Sequence, residues 1–169
     1  MNLEAQITQL AAHAQVIRSL THGVPAEQAA WKPSPDAWAM VEVVNHLYDE
    51  EREDFRSHLD TILRGPDAPW APIDPQGWVT QRAYNQRDLA ESVASFLRER
   101  EQSLVWLRGL NTADWDAAYP RPWGTITAGD MLASWVAHDL LPIRQLVELH
   151  WKQMVGAVAP YQVIYAGEW

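Results

Sequence analysis

With 169 residues the chain is long enough for one domain with a sizeable apolar core, so residues 1–169 are read as a single unit. A formal net charge of -9 and a pI near 5.0 exclude the clustered Lys and Arg that nucleic-acid binding needs, leaving a small molecule as the expected partner. There is no Cys, which excludes disulfides, thiolate metal ligands and a Cys nucleophile; any metal must be held by His, Asp or Glu.

The opening residues MNLEAQITQL carry an acid and no apolar leader core, and no window approaches the ~18 apolar residues of a membrane span. A soluble, cytoplasmic protein is expected. Leu3, Ile7, Leu10, Ala14, Ile17 and Thr21 step by four and three, predicting a first helix from about residue 2 to 22, stopped by Gly23 and Pro25. His13 and His22 lie off that seam or at its end and are expected to be solvated.

Residues 23–38 hold three prolines and two tryptophans, Trp31 and Trp38, and read as a broken connection across the bundle end. Val43, Val44, Leu47, Phe55, Leu59 and Ile62 mark a second helix, about 39 to 64, closed by Gly65 and Pro66. His46 lies beside the Val43 and Leu47 stripe, with Glu42 and Glu50 one turn to either side. A carboxylate there either orients the imidazole or joins it on a metal. The acidic run from Asp49 to Asp54 otherwise reads as a solvated face.

From Gly65 to Tyr84 four prolines and two tryptophans make a connection longer than bundle helices usually need, a crossover or a lid. Asn85 and Asp88 offer a cap for a third helix, which Leu89, Val93, Phe96, Leu104 and Leu107 carry to about Leu110. Arg100 falls on its apolar stripe. A buried guanidinium requires an acid or anion, so Arg100 is expected either to bind a substrate carboxylate, to pair with an acid of the second helix, or to snorkel at the seam edge.

After a further Trp-bearing connection, Thr127 and Asp130 have capping-box spacing and open a fourth helix running to about residue 155. Within it, His138, Pro142 and Gln145 share one stripe. A helix-interior proline costs roughly 3 kcal/mol and leaves the carbonyl four residues back, here that of His138, without its donor. The tail from Val158 is open between an extended cover and a short helix.

Four helical segments with long connections describe a helix bundle. Trp31, Pro33 and Trp38, then Glu42, Val43, His46 and Leu47, the DPxxW of Asp74 to Trp78, Phe96 with Arg100, the Trp123, Gly124, Thr127 entry, and HDLLPIRQL ending at Gln145 together resemble the DinB/YfiT-like superfamily, over about residues 3 to 153. The resemblance implies an all-α, up-down-down-up four-helix bundle, often a homodimer, with a divalent metal (Zn, Ni or Fe) held by three histidines. His46 and His138 match two of them; the third position is Pro142, so the three-His site is incomplete. Glu50 or Glu42 is then expected to complete a two-His, one-carboxylate set. The function implied is a metal-dependent thiol transferase, isomerase or hydrolase, with Arg100 or Gln145 orienting the substrate. The alternatives are a metal-free small-molecule binder and a non-catalytic dimeric bundle joined through exposed tryptophans.

Overall fold

The computed structural model describes residues 1–167. Helix α1 (Leu3–Thr21) starts where the Asn2 side chain accepts the Ala5 N–H at 3.1 Å, and the chain leaves its end through Gly23 at φ +71, a conformation glycine takes without strain. The second rod is one continuous run of α3 (Met40–Asp49), a π-helical turn (Glu50–Phe55) and α4 (Arg56–Arg64), ended by Gly65. Before it, residues 26–30 form a short helix, α2 (Ala26–Ala30), inside the segment whose prolines predict no helix. Pro25 precedes the first turn, where a proline removes no helical hydrogen bond, which is why the helix survives there.

The long connection after Gly65 also contains structure. Helix α5 (Pro75–Gln81) is capped by Asp74, whose side chain accepts the Gly77 N–H at 2.9 Å, and it buries Trp78 and Val79. The third rod, α6 (Leu89–Arg108), is capped by Asp88 as expected. The connection that follows is a correction to the all-helical reading. Strands β1 (Ala118–Arg121) and β2 (Gly124–Thr127) pair antiparallel about a Pro122–Trp123 turn, and Thr127 ends the hairpin while capping the next helix in a reciprocal box with Asp130. Four residues per strand and one proline in β1 are too few for an alternation signal in the sequence.

The fourth rod is also divided. Helix α7 (Ala128–His138) breaks at Asp139 and resumes as α8 (Leu140–Ala157). Pro142 therefore lies in the first turn of a new helix, not in the middle of an old one. In that first turn a missing N–H is tolerated, and the proline's cost is correspondingly small.

Rods α1 and α3 pack on α6, α8 packs on α1 and α3, and α4 packs on α7. The apolar core falls into two clusters. One holds Ala14, Ile17, Val43, Val44, Leu47, Phe96 and Leu146; the other holds Ile7, Leu10, Phe55, Leu59, Leu104, Leu107, Leu132 and Trp135. On every rod, the residues between the two clusters include buried polar ones: His13 on α1, Glu50 and Glu51 on the π turn, Arg100 on α6, Asp139 at the α7–α8 break. A polar layer thus crosses the bundle at one height.

Two expectations are corrected by this layer. His13 is buried, its Nδ1 lying 3.3 Å from Asp139 Oδ2, because Leu10 and Ile17 at i-3 and i+4 carry it inward with the seam. The acidic run is not a solvated face at its start, since Asp49, Glu50 and Glu51 are all buried. The π turn inserts an extra residue into the helical period, and so aims two consecutive carboxylates inward that an ideal α-helix would turn outward.

Candidate metal centre

The two consecutive carboxylates go to different places. Glu51 meets Arg100, whose Nε and Nη2 donate to its two oxygens at 2.8 Å each. The same guanidinium donates to Asp139 at 2.7 and 2.9 Å and to the Leu10 carbonyl at 2.8 Å. These five bonds use all five N–H groups an arginine has. Arg100, 1% exposed, has no donor left for a substrate; the expected substrate contact gives way to its other predicted role, pairing with an acid of the second rod. Trp135 Nε1 adds a bond to Glu51 at 3.1 Å. Burial by itself would raise the Asp139 carboxyl, but the Arg100 charge and hydrogen bonds from His13 and Arg100 outweigh it and hold it low.

Glu50 turns the other way, toward the two histidines. Its Oε2 lies 3.4 Å from His46 Nε2 and 3.0 Å from His138 Nε2, and one ligand atom from each of the three residues lies within 4.8 Å of the other two. The imidazole rings are 5.4 Å apart, centre to centre. The juxtaposition of His46 and His138 expected from their stripes is what the structure shows. Glu42, the other candidate acid, is committed elsewhere: one oxygen accepts the Ala39 N–H at 2.7 Å and the other meets Lys32 at 3.0 Å.

Aromatic rings stand against both histidines, and His138 is half-buried. Trp38 stands edge-on against His46 at 4.8 Å, and Phe55 lies 5.1 Å from His138. Neither was singled out as a site residue from sequence, although Trp38 belongs to the spaced pattern quoted above and Phe55 to the core stripe. Burial in this setting depresses His46 to about 3, with the neighbouring His138 adding to the effect, and lowers His138 too. Burial, with the charge of Asp54, pushes Glu50 up to about 8. Near pH 7 the three groups without a metal are therefore two neutral imidazoles and a protonated carboxyl.

The donor set fits a divalent ion. Bonds of 2.0–2.1 Å in a tetrahedral site place ligand atoms about 3.3–3.4 Å apart; the two Glu50 contacts, at 3.4 and 3.0 Å, are near that spacing, while the three ligand atoms together spread to within 4.8 Å and would draw closer on a shared ion. Glu50 Oε2 and His46 Nδ1 are both buried, and neither makes a hydrogen bond of good geometry, although Oε2 lies close to both imidazoles.

Gln145 does not reach this trio directly. It lines a cavity of about 310 Å³ with Trp38, Val43, Gln76, Glu148 and Lys152. The indole of Trp38 is the shared wall: it lines the cavity and also contacts His46.

Comparison with known proteins agrees with this architecture. No curated protein matches the sequence. Among solved structures, one described as "YfiT from Bacillus subtilis is a probable metal-dependent hydrolase with an unusual four-helix bundle topology" superposes with a TM-score of 0.78, at 18% identity, over 90% of this chain and 87% of that one. At that identity the likeness is one of fold. The family model of the DinB superfamily matches residues 9–146, from within α1 to the second turn of α8, and the chain belongs to that superfamily.

Proposed function

We propose that this protein is a metal-dependent enzyme in which His46, Glu50 and His138 hold one divalent ion, with Glu50 doing the work of the histidine that Pro142 replaces. The observation that carries the reading is the convergence of Glu50 Oε2 and two imidazole nitrogens on one largely buried spot without a well-formed hydrogen bond from that oxygen to either. Two imidazoles and a carboxylate suit zinc or iron, and leave coordination positions open for a reactant. When bound, such an ion lowers the pKa of a coordinated water or thiol and so supplies a nucleophile for hydrolysis or thiol transfer. The chain's own part is to keep both imidazoles neutral, to exclude bulk water with Trp38 and Phe55, and to hold a reactant in the cavity beside Trp38, where Gln145 supplies an amide. We read the bundle as the up-down-down-up form and the assembly as a homodimer in the cytoplasm.

One observation favours a second reading. Because Glu50 takes up a proton in its buried setting, the empty trio carries no net charge and is tolerated without an ion. A metal-free small-molecule binder using the same cavity fits that fact.

Elemental analysis of protein purified without a His tag or added metal separates the two. About one equivalent of a transition metal is expected; less than about a tenth of an equivalent, with no calorimetric uptake of Zn, Ni or Fe, would end the metal reading.

Replacing the proline tests the third position. Pro142→His is expected to tighten metal binding at least tenfold if residue 142 reaches the trio as in the three-His pattern. Because the proline sits in a first helical turn, the same change should not stabilise the metal-free protein. Releasing the ring's constraint on the unfolded chain should instead cost about 0.4–1 kcal/mol in denaturant titration. Unchanged affinity would place the imidazole of residue 142 away from the site.

A further inference from the structure

Two of the three candidate ligands sit on one rod. His46 and Glu50 are one turn apart on the continuous run of α3 and the π turn, so the backbone of that run sets their spacing. His138 is the last residue of α7, and its 3.0 Å approach to Glu50 spans two rods. Hydrogen bonds within a helix cannot fix a distance between two helices. The polar layer can, from one residue away on each side: Glu51 follows Glu50, Asp139 follows His138, and the Arg100 guanidinium joins those two carboxylates.

We propose that Arg100 is a positioning residue for the metal centre. By holding Glu51 and Asp139 on one rigid plane it sets the separation of the π turn from the end of α7, and through their chain neighbours the separation of Glu50 from His138. This rests on the metal reading above and assigns what assembles that site.

The guanidinium is planar and its donors form a fixed fork. Nε and Nη2 donate to the two Glu51 oxygens at 2.8 Å each, and Nη1 and Nη2 to the two Asp139 oxygens at 2.7 and 2.9 Å. Such two-point contacts fix orientation as well as distance. The fifth bond, to the Leu10 carbonyl of α1, anchors the plane itself. A second tie runs beside the first. Trp135, three residues before His138, donates Nε1 to Glu51 at 3.1 Å, and its ring stacks at 5.9 Å on Phe55, which lies against His138. With ties on both sides of His138, at Trp135 and Asp139, the end of α7 can neither slide nor turn freely against the π turn. Ligand constellations must be held to within about 0.5 Å, so a tie of this kind bears directly on affinity. Arg100 does so without bonding to His46, Glu50 or His138, since all five of its N–H groups are used elsewhere.

Calorimetric zinc titration of folded variants tests the proposal. Arg100→Met and Asp139→Asn should each bind zinc at least about fivefold more weakly than wild type, the lower end of coupling between linked sites. Ile62→Ala is the control. Its side chain is fully buried about three turns along the rod from Glu50, so its loss loosens the bundle by a cavity without touching the clamp, and zinc affinity should match wild type. Should Arg100→Met not fold, Asp139→Asn, which keeps the guanidinium and one acceptor oxygen, carries the comparison. Wild type supplies a further measurement with no substitution. Coupling is reciprocal, so adding zinc should slow solvent exchange of the Arg100 Nε–H, followed by nuclear magnetic resonance, at least about fivefold. Wild-type protein that takes up no zinc would defeat the metal reading and this one with it. Zinc bound by wild type with unchanged affinity in the clamp variants, with equal loss in Ile62→Ala, or with Arg100 exchange indifferent to the ion would defeat only this one.

Discussion

Arg100→Met is expected to destabilise the protein by about 3–5 kcal/mol, the usual cost of removing one partner from a buried ionic cluster. Among the described residues the guanidinium is the only cation bonded to both Glu51 and Asp139, and both carboxylates are 1% exposed. Without it, two desolvated anions remain in the centre of the bundle, Asp139 supported by His13 and Glu51 by Trp135. For a domain of this size, each kcal/mol moves the thermal midpoint by about 2–4 °C, so the fall should be on the order of 6–20 °C. Arg100→Lys should recover little of this, because a single ammonium cannot replace a fork that bonds two carboxylates bidentately. Thermal and urea unfolding of the metal-free forms measure it. A loss below about 1 kcal/mol in Arg100→Met would mean that the polar layer is hydrated and not a structural clamp.

Glu50→Gln is expected to separate metal binding from stability, because the two demand opposite things of the same residue. As a ligand Glu50 must be ionised, yet its buried setting raises it from 4.5 to about 8 in the metal-free state. A group with a raised folded pKa contributes stability that is fully present below its unfolded value and is lost as pH rises through the folded one. The metal-free wild type should therefore weaken between about pH 5 and 9 through Glu50, while Glu50→Gln, which cannot ionise, should not. His46 acts on the acid side: depressed to about 3, it contributes stability present above 6.5 that is lost as pH falls toward 3 in both proteins. Metal affinity should fall at least a hundredfold in Glu50→Gln, beyond the 10–100-fold that follows loss of an outer-shell partner. Calorimetric zinc titration and thermal midpoints across this pH range read the two effects. Undiminished zinc affinity in the variant would remove Glu50 from the site.

Much of this was legible in the chain itself. The seam from Leu3 to Thr21, the caps at Asp88 and Thr127, and the stops at Gly23 and Gly65 are local devices, and local devices are written in consecutive residues. So was the approach of His46 to His138, because each rides beside an apolar stripe that can face only the core. The segments read less well are those where short structure sits among prolines: the hairpin at Ala118–Thr127, α2 and α5 each span too few residues to establish a period.

What the sequence determined without help is the set of rods, their order and the two imidazoles. What only the tertiary structure decided is which charges go inside. Glu50 and Glu51 turn inward because a π turn shifts the helical phase, and Asp139 turns inward because the fourth rod breaks at that residue. Neither shift leaves a mark in hydrophobic periodicity, since a carboxylate is polar in every phase. Each is fixed by a partner about forty to ninety residues away in the chain, Arg100 for Glu51 and Asp139 and His138 for Glu50, and such pairings exist only once the rods have packed.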